Sequence, residues 1–248
     1  MRLTRVHVPG PLLAGTKVLP EGPARHLVRV LRLGEGDALR IFDGEGHEFE
    51  AVIETVRRDE VTVRIGAEFT NDVESPLSIT LLQGVARGDK MDTILQKATE
   101  LGVTRIVPLL LARSTVKLGA DGIARRHEHW LAVIASACEQ CGRSRLPQLD
   151  PAAQLEATLS MGAGELKLLL APDAGAASLP ALLSAHPQAA QRGVCLLVGP
   201  EGGFDEGEVT LALASGYRRC RLGPRVLRTE TAGIAAITAV QVSAGDWR

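Results

Sequence analysis

Long apolar runs are absent: nowhere do about 18 hydrophobic residues follow one another, so no bilayer-spanning helix is expected. The opening stretch MRLTRVHVPGPLLAG is too polar for a secretory leader, and a cytoplasmic location is expected. Aromatic residues make up only 3%, which leaves few rings for base stacking; Phe204 is the one beside a glycine-rich loop. Net charge is missing too. Twenty-eight Lys and Arg against 29 Asp and Glu give −1, so any nucleic-acid binding must rest on local clusters. Cysteines are limited to four. Cys138 and Cys141, in CEQC, have the spacing of a redox pair or half a zinc site. Cys195 and Cys220 sit singly and form no second pair, so reduced, packed thiols and no metal are expected.

What is present is an ordinary globular composition, 45% hydrophobic and 23% charged over 248 residues, ample for two modest domains. The first 70 or so residues read as short strands. Asp43-Gly44-Glu45-Gly46 interrupts two of them as a hairpin does, and VTVRIGAEF alternates like a half-buried strand. EGPARHLVRVLRLGEGD reads as a short amphipathic helix ended by Gly34. The polar stretch TNDVESPLS, with Pro76, is the expected linker between domains at 1–72 and 76–248. Beyond it strands alternate with helices. SITLLQGVA, TRIVPLLLA, ELKLLLAPD, CLLVGPEGG and RRCRLGPRVL read as five strands, and TAGIAAITAVQVSAGDW as a closing helix. Continuous apolar strands with intervening helices imply an α/β domain with a mainly parallel sheet. Residues 151–190 are rich in Ala and Gly and carry no clear signal.

LLVGPEGGFDEGEV, at 196–209, runs a strand into a glycine loop and then an acidic helix start. It is no phosphate-binding P-loop, because Phe204 stands where the second glycine should be. Its spacing is also wrong for a dinucleotide loop. A tight turn with no ligand is the plain alternative. A second strand and glycine loop, RLGPRVLRTETAGIAA at 221–236, argues against that alternative. Two neighbouring glycine-lined strand ends, followed by a helix of small residues, describe a pocket built from backbone. With little lysine nearby, such a pocket suits an adenosine-like, phosphate-free ligand. Thr229 or Thr231 is the expected capping hydroxyl of the last helix.

LLVGPEGGFDEGE together with LGPRVLRTETA resembles the C-terminal signature of the bacterial 16S rRNA uridine N3-methyltransferases, the RsmE family of the SPOUT class. ARHLVRVLRLGEGDALRIFDGEGHEFEA is similar to that family's PUA-like RNA-binding β-barrel. QGVARGDKMDTILQKATELGVTRIVPLLLARS and ASACEQCGRSRLPQL are similar to its first methyltransferase segment and its EQ-x-x-R helix. The resemblance implies a C-terminal trefoil knot, a homodimer, and S-adenosylmethionine as cofactor. It implies that Val198, Gly199, Pro200, Glu201 and Gly202 line one side of the cofactor site. Leu222, Gly223, Val226, Leu227 and Arg228 would line the other.

The implied substrate is 16S rRNA, free or in the small ribosomal subunit, methylated at N3 of a uridine. In the N-terminal domain, Arg2, Arg5, Arg25, His26, Arg29 and Arg32 are the expected phosphate contacts, with a solvated charged face as the alternative. Arg87 and Lys90, after the first strand of the second domain, fit a ligand-facing edge and simple surface charge equally well. Gln140 and Arg143 are expected substrate contacts, although an arginine in a helix's last turn is favourable without one. Arg228, oriented by Glu230, is the expected catalytic group; the alternative is a salt bridge that pins the loop. Methylation of another base or of a 2′-oxygen, and a non-catalytic rRNA-binding assembly factor, are the competing readings.

Overall fold

A computed structural model describes residues 3–58, 60–114, 120–162, 165–171, 173 and 175–247. The chain forms two compact units. One holds the described residues through Glu74 together with Ala135–Leu146; the other holds Ser75–Ile134 and the chain from Pro147 onward.

The first unit is built on β1 (Thr4–His7), β2 (Gly15–Val18), β3 (Ala38–Phe42), β4 (Glu48–Arg57) and β5 (Glu60–Phe69). They pair in the order β1-β3-β4-β5-β2, so β1 and β2 are the two edges of the ladder. Only the β1/β3 pairing is parallel. Alternation puts Leu39, Ile41, Ala51, Ile53, Val61, Val63 and Ile65 on the inner face, where they pack with Val6, Val8 and Leu27. The β3–β4 turn is shaped by Asp43, whose Oδ1 accepts from the backbone N–H of Glu45 (2.7 Å) and of His47 (3.1 Å). The expected single helix through Gly34 is shorter. α1 (Glu21–Arg25) runs into a π-helical turn at His26–Val30, and Arg32, at φ 57°, takes the left-handed position. Arg25, Arg29 and Arg32 are therefore exposed without forming one continuous α-helical stripe.

The segment 135–146, expected in the second domain, belongs to this first unit. Hydrogen bonds explain why. Arg5 Nη1 donates to Cys138 O (2.6 Å) and Nη2 to Arg143 O (3.0 Å), while Asn71 Nδ2 donates to Gly142 O (2.6 Å). Arg143 in turn pairs with Glu74 at 2.8 Å.

In the second unit β6 (Ile79–Gly84), β7 (Arg105–Leu109), β8 (Gln148–Leu149), β9 (Leu166–Leu170), β10 (Ala177–Ser178), β11 (Val194–Val198) and β12 (Arg218–Arg221) form one sheet, in which every pairing is parallel. Its order is β10-β12-β9-β11-β6-β7-β8. The central strands β6 and β11 are buried along their whole lengths, which is why they read as unbroken apolar runs. The helices are α2 (Asp89–Glu100), α3 (Ala120–Cys141, through Ile134 in this unit), α4 (Leu179–Ala185), α5 (Pro187–Arg192), α6 (Glu206–Ala214) and α7 (Thr229–Ala244). Within 151–190, ELKLLLAPD supplies the expected strand β9, while β10 and α4 come from sequence that carried no clear signal. The expected fifth strand stops at Arg221, and the chain from there to Arg228 is loop. Gln241 fixes α7 to the end of α2, donating to Leu101 O at 2.8 Å and accepting from Ser75 Oγ at 3.0 Å. Among the described residues no helix is long and apolar enough to cross a membrane.

Arg5 was an expected RNA contact, and the structure corrects that. It is 8% exposed and bidentate to the fully buried Glu48, with both bonds at 2.9 Å. A guanidinium so committed has nothing left to offer a phosphate. Arg5→Ala should leave the Glu48 carboxylate buried without a counter-charge and cost about 3–5 kcal/mol. Urea unfolding, with hydrogen exchange at the β4 amides to monitor the first unit, measures this. A loss below about 1 kcal/mol would contradict the structural role.

Candidate functional site

Ligands of open parallel sheets bind beyond the C-terminal ends of the strands. Here β9, β11 and β12, neighbours in the sheet, end together around a cleft of about 470 Å3. Leu170 and Ala171 close β9, the stretch 198–204 extends from β11, and 221–229 extends from β12 and leads into α7. The walls are mainly the side chains of Val198, Phe204, Leu222, Val226 and Leu227 and the backbone of the glycine loop. Size and lining are those of a small-molecule site, apolar with a few convergent polar groups.

The local sequence explains the loop's shape. Gly203 sits at φ 68°, where a side chain is strained, and its N–H closes a turn onto Pro200 O at 2.9 Å. Asp205 then starts α6 through a reciprocal capping box with Glu208. Beneath the loop, a Cβ on Gly84 would stand 2.6 Å from Pro200 N and Cδ, so β6 must end in glycine for the loop to lie on it.

Among the expected cofactor residues, Val198, Gly199, Pro200, Glu201, Leu222, Val226, Leu227 and Arg228 line the cleft. Gly202 and Gly223 do not. A Cβ on Gly202 would meet Arg113 O at 2.7 Å, so this glycine serves packing behind the loop rather than ligand approach. Gly223 takes φ 101° with open space around it, a turn requirement.

Thr229, expected as a cap, has another role. Its buried hydroxyl donates to Gly199 O at 2.6 Å and accepts from Gln83 Nε2 at 2.9 Å, joining the glycine loop, the end of β6 and the start of α7. No side chain caps α7.

Arg228 and Glu230 were expected as a pair, and the structure separates them. Among the described residues the Arg228 guanidinium has no ion pair, and the residue is exposed at the cleft wall. Glu230 faces Lys90 instead, at 3.8 Å, and its buried Oε2 has no hydrogen-bond partner. Lys90 also reaches Glu201 Oε1 at 3.1 Å, and that same oxygen accepts from Arg87 N at 3.2 Å. Partial burial would raise the Glu201 carboxyl. Hydrogen bonds from its own backbone, from Arg87 N–H and from Lys90 outweigh burial and hold it below the usual range. Lys90, for which the sequence left a ligand-facing edge and simple surface charge equally open, thus stands between two carboxylates beside the cleft.

The remaining expected RNA contacts are spread over the first unit and the edge of the second. Arg25 is exposed and pairs with Glu21, and Arg29 and Arg32 are exposed. His26 is half-buried, 4.0 Å from Glu139, and Gln140 is exposed. Arg87 is exposed. Arg143 is only 4% exposed and held by Glu74, which corrects its assignment as a substrate contact. Arg2 lies outside the described residues. Sequence reasoning missed Gln83, Leu170, Ala171 and Thr229 as parts of the site. The one available signal for Leu170 and Ala171 was that they close an apolar run in the sequence, and strand ends are where such sites form.

Residues 73–241 match the family model described as an RNA methyltransferase domain, and 19–66 match an RNA methyltransferase PUA domain. Ribosomal RNA small subunit methyltransferase E of Bacillus subtilis (strain 168) is 31% identical over 221 residues, 87% of this chain and 85% of that one. The crystal structure of ribosomal RNA small subunit methyltransferase E from Neisseria gonorrhoeae, bound to S-adenosyl methionine, covers 100% of both chains at 37% identity and a TM-score of 0.93. A Legionella pneumophila protein in complex with the bound cofactor SAM gives a TM-score of 0.92 at 38% identity, covering 99% of this chain and 100% of that one.

Thr229→Val keeps the side chain's shape but leaves Gly199 O and Gln83 Nε2 without their partner. It should cost about 1–3 kcal/mol in chemical denaturation, and Thr229→Ser should restore most of that. Equal stability of Val and Thr at this position would mean that the hydroxyl is not the tie.

Proposed function

The chain belongs to the ribosomal RNA small subunit methyltransferase E family, and on that footing we propose that it transfers a methyl group from S-adenosylmethionine to N3 of a uridine in 16S ribosomal RNA. The observation that carries the reading is the cleft between the 198–204 and 221–229 loops, with Arg228 exposed on its wall and an unsatisfied carboxylate oxygen beside it. The cleft fits the cofactor chemically. Apolar side chains and glycine backbone suit an adenosine and the carbons around a sulfonium, and no cluster of lysines is arranged for phosphates among the described residues. Val198, Gly199, Pro200, Leu222, Val226 and Leu227 would hold it. When bound, the cofactor supplies an electrophilic methyl group on a sulfonium.

The protein's share of the chemistry is charge management. Uracil N3 carries a proton at neutral pH and is a poor nucleophile until that proton leaves. Arg228, exposed at the wall and free of any carboxylate among the described residues, stabilises the negative charge that develops on the uracil carbonyl oxygens. Glu230 Oε2 is the acceptor we assign to the departing proton, and Lys90 holds that carboxylate in place. Positioning base and methyl donor in one cleft lowers the barrier further.

In the first unit, exposed Arg25, Arg29 and Arg32, with Gln140, are the proposed contacts to the rRNA. The knot implied by the sequence resemblance, a homodimer and a cytoplasmic location belong to the same proposal. Exposed Val242 and Trp247 near the end of α7 support an apolar contact between copies.

Digestion of methylated 16S rRNA to nucleosides, then mass spectrometry, should give N3-methyluridine. A product resistant to alkaline cleavage at that nucleotide would be a 2′-O-methyl group and would overturn the reading. Arg228→Ala should lower kcat by about 100-fold or more while changing the KM for RNA little. An RNA-binding defect at unchanged kcat would make Arg228 a phosphate contact instead.

A further inference from the structure

The end of α3 carries chemistry that methyl transfer does not use. Cys138 and Cys141 stand three residues apart on its last turn; the Cys141 thiol lies 4.0 Å from the carbonyl of Cys138, and the Cys138 thiol 3.8 Å from the carbonyl of Arg145. Side chains at that spacing have Cβ atoms about 5–6 Å apart, against about 3.5–4.5 Å in a disulfide. Cys141 is the last helical residue, and Gly142 after it, at φ 104°, has already left the helix, so closing the gap means distorting the last turn of α3, where Gly142 N–H donates to Cys138 O at 3.1 Å.

The two sulfurs differ in access. Cys138 is fully buried. Cys141 opens on a cavity of about 400 Å3 within the first unit, whose charged and polar lining is Arg5, Arg40, Glu48 and Asn71. The Arg40 guanidinium carbon stands over the Phe69 ring, 3.4 Å from its centroid, and the buried Nε has no hydrogen-bond partner among the described residues. The carboxylates nearby are committed, Glu48 to Arg5 and Glu74 to Arg143. Beyond the Arg5–Glu48 pair the lining carries one further guanidinium, that of Arg40, a setting that favours a thiolate.

We propose that Cys138 and Cys141 form a peroxide-sensitive thiol pair, with Cys141 as the attacking sulfur and Cys138 as the resolving one. The Cys141 sulfur attacks one oxygen of hydrogen peroxide; an S–O bond forms, the O–O bond breaks, and hydroxide leaves. The sulfur is oxidised to a sulfenic acid and the peroxide is reduced. The Cys138 sulfur then attacks Cys141, forming the S–S bond and expelling the hydroxyl, which leaves as water with the Cys138 proton. In sum, two thiols and one peroxide give one disulfide and two waters.

The charge environment agrees with this division. The hydrogen bond from Cys138 lowers the Cys141 thiol most; burial opposes it, and the Arg143 backbone and the Arg143 and Arg5 charges add to it, bringing the thiol to about 6. Cys138 moves upward, through the same hydrogen bond and through burial. Burial pushes Cys195 and Cys220 up to about 12, which makes them internal controls. The bridge would straddle Glu139 and Gln140 and act on the carbonyl of Cys138 that Arg5 holds.

The test uses the full-length protein, dilute hydrogen peroxide and peptide mapping. A Cys138–Cys141 bridge should appear and be reversed by dithiothreitol, with Cys195 and Cys220 still alkylatable. In Cys138→Ser, dimedone should label Cys141 about tenfold or more faster than Cys195 or Cys220. Should that variant fold poorly, the bridge in the unaltered protein decides. Four thiols oxidising at similar rates, or Cys141 remaining a free thiol under peroxide, would overturn the proposal, whatever the outcome of the methylation assays.

Discussion

The Thr229 hydroxyl is the joint on which the cleft depends. One oxygen donates to the carbonyl of Gly199 and accepts from the amide of Gln83, and so fixes three chain segments against one another. The glycine loop can lie directly on the end of β6 because Gly84 has no side chain to hold Pro200 away. Helix α7 cannot slide, because Gln241 ties its other end to Leu101. A cleft of largely apolar walls gains nothing from being open, and it persists because polar ties at and behind its lining hold the two loops in place.

The arginines divide into two kinds, and burial decides which. Arg5 and Arg143 are inside the first unit, where an unpaired guanidinium would cost several kcal/mol, and each is matched to a carboxylate. Arg228, Arg25, Arg29 and Arg32 are exposed. Exposed pairs add little to stability, so what positions those side chains is not folding energy. The buried charges that hold the fold are therefore different residues from the exposed ones.

Much of the fold was legible in the sequence. The buried strands announce themselves as unbroken apolar runs, and two glycine loops at strand ends mark the cleft. Other features were not. In TRVH the alternation shows that Arg5 points opposite to Val6, but nothing local tells that Glu48, 43 positions later, stands beside it. Arg143 has the same ambiguity, since its partner Glu74 is equally remote in sequence. Strands of two residues, such as β8 and β10, are too short for any periodicity to show. The expected pairing of Arg228 with Glu230 rested on proximity in sequence. At the start of a helix residues two apart point in different directions, and Glu230 turns to Lys90.

That the loops after β11 and β12 hold S-adenosylmethionine is the central claim, and an amide NMR titration of the glycine-labelled chain with the cofactor tests it most directly. Gly199, Gly203 and Gly223 should shift saturably, with Gly84 moving too through its contact with Pro200, while Gly10, Gly15 and Gly36 of the first unit stay fixed. Saturable shifts confined to the first unit's glycines, or none at millimolar cofactor, would contradict it.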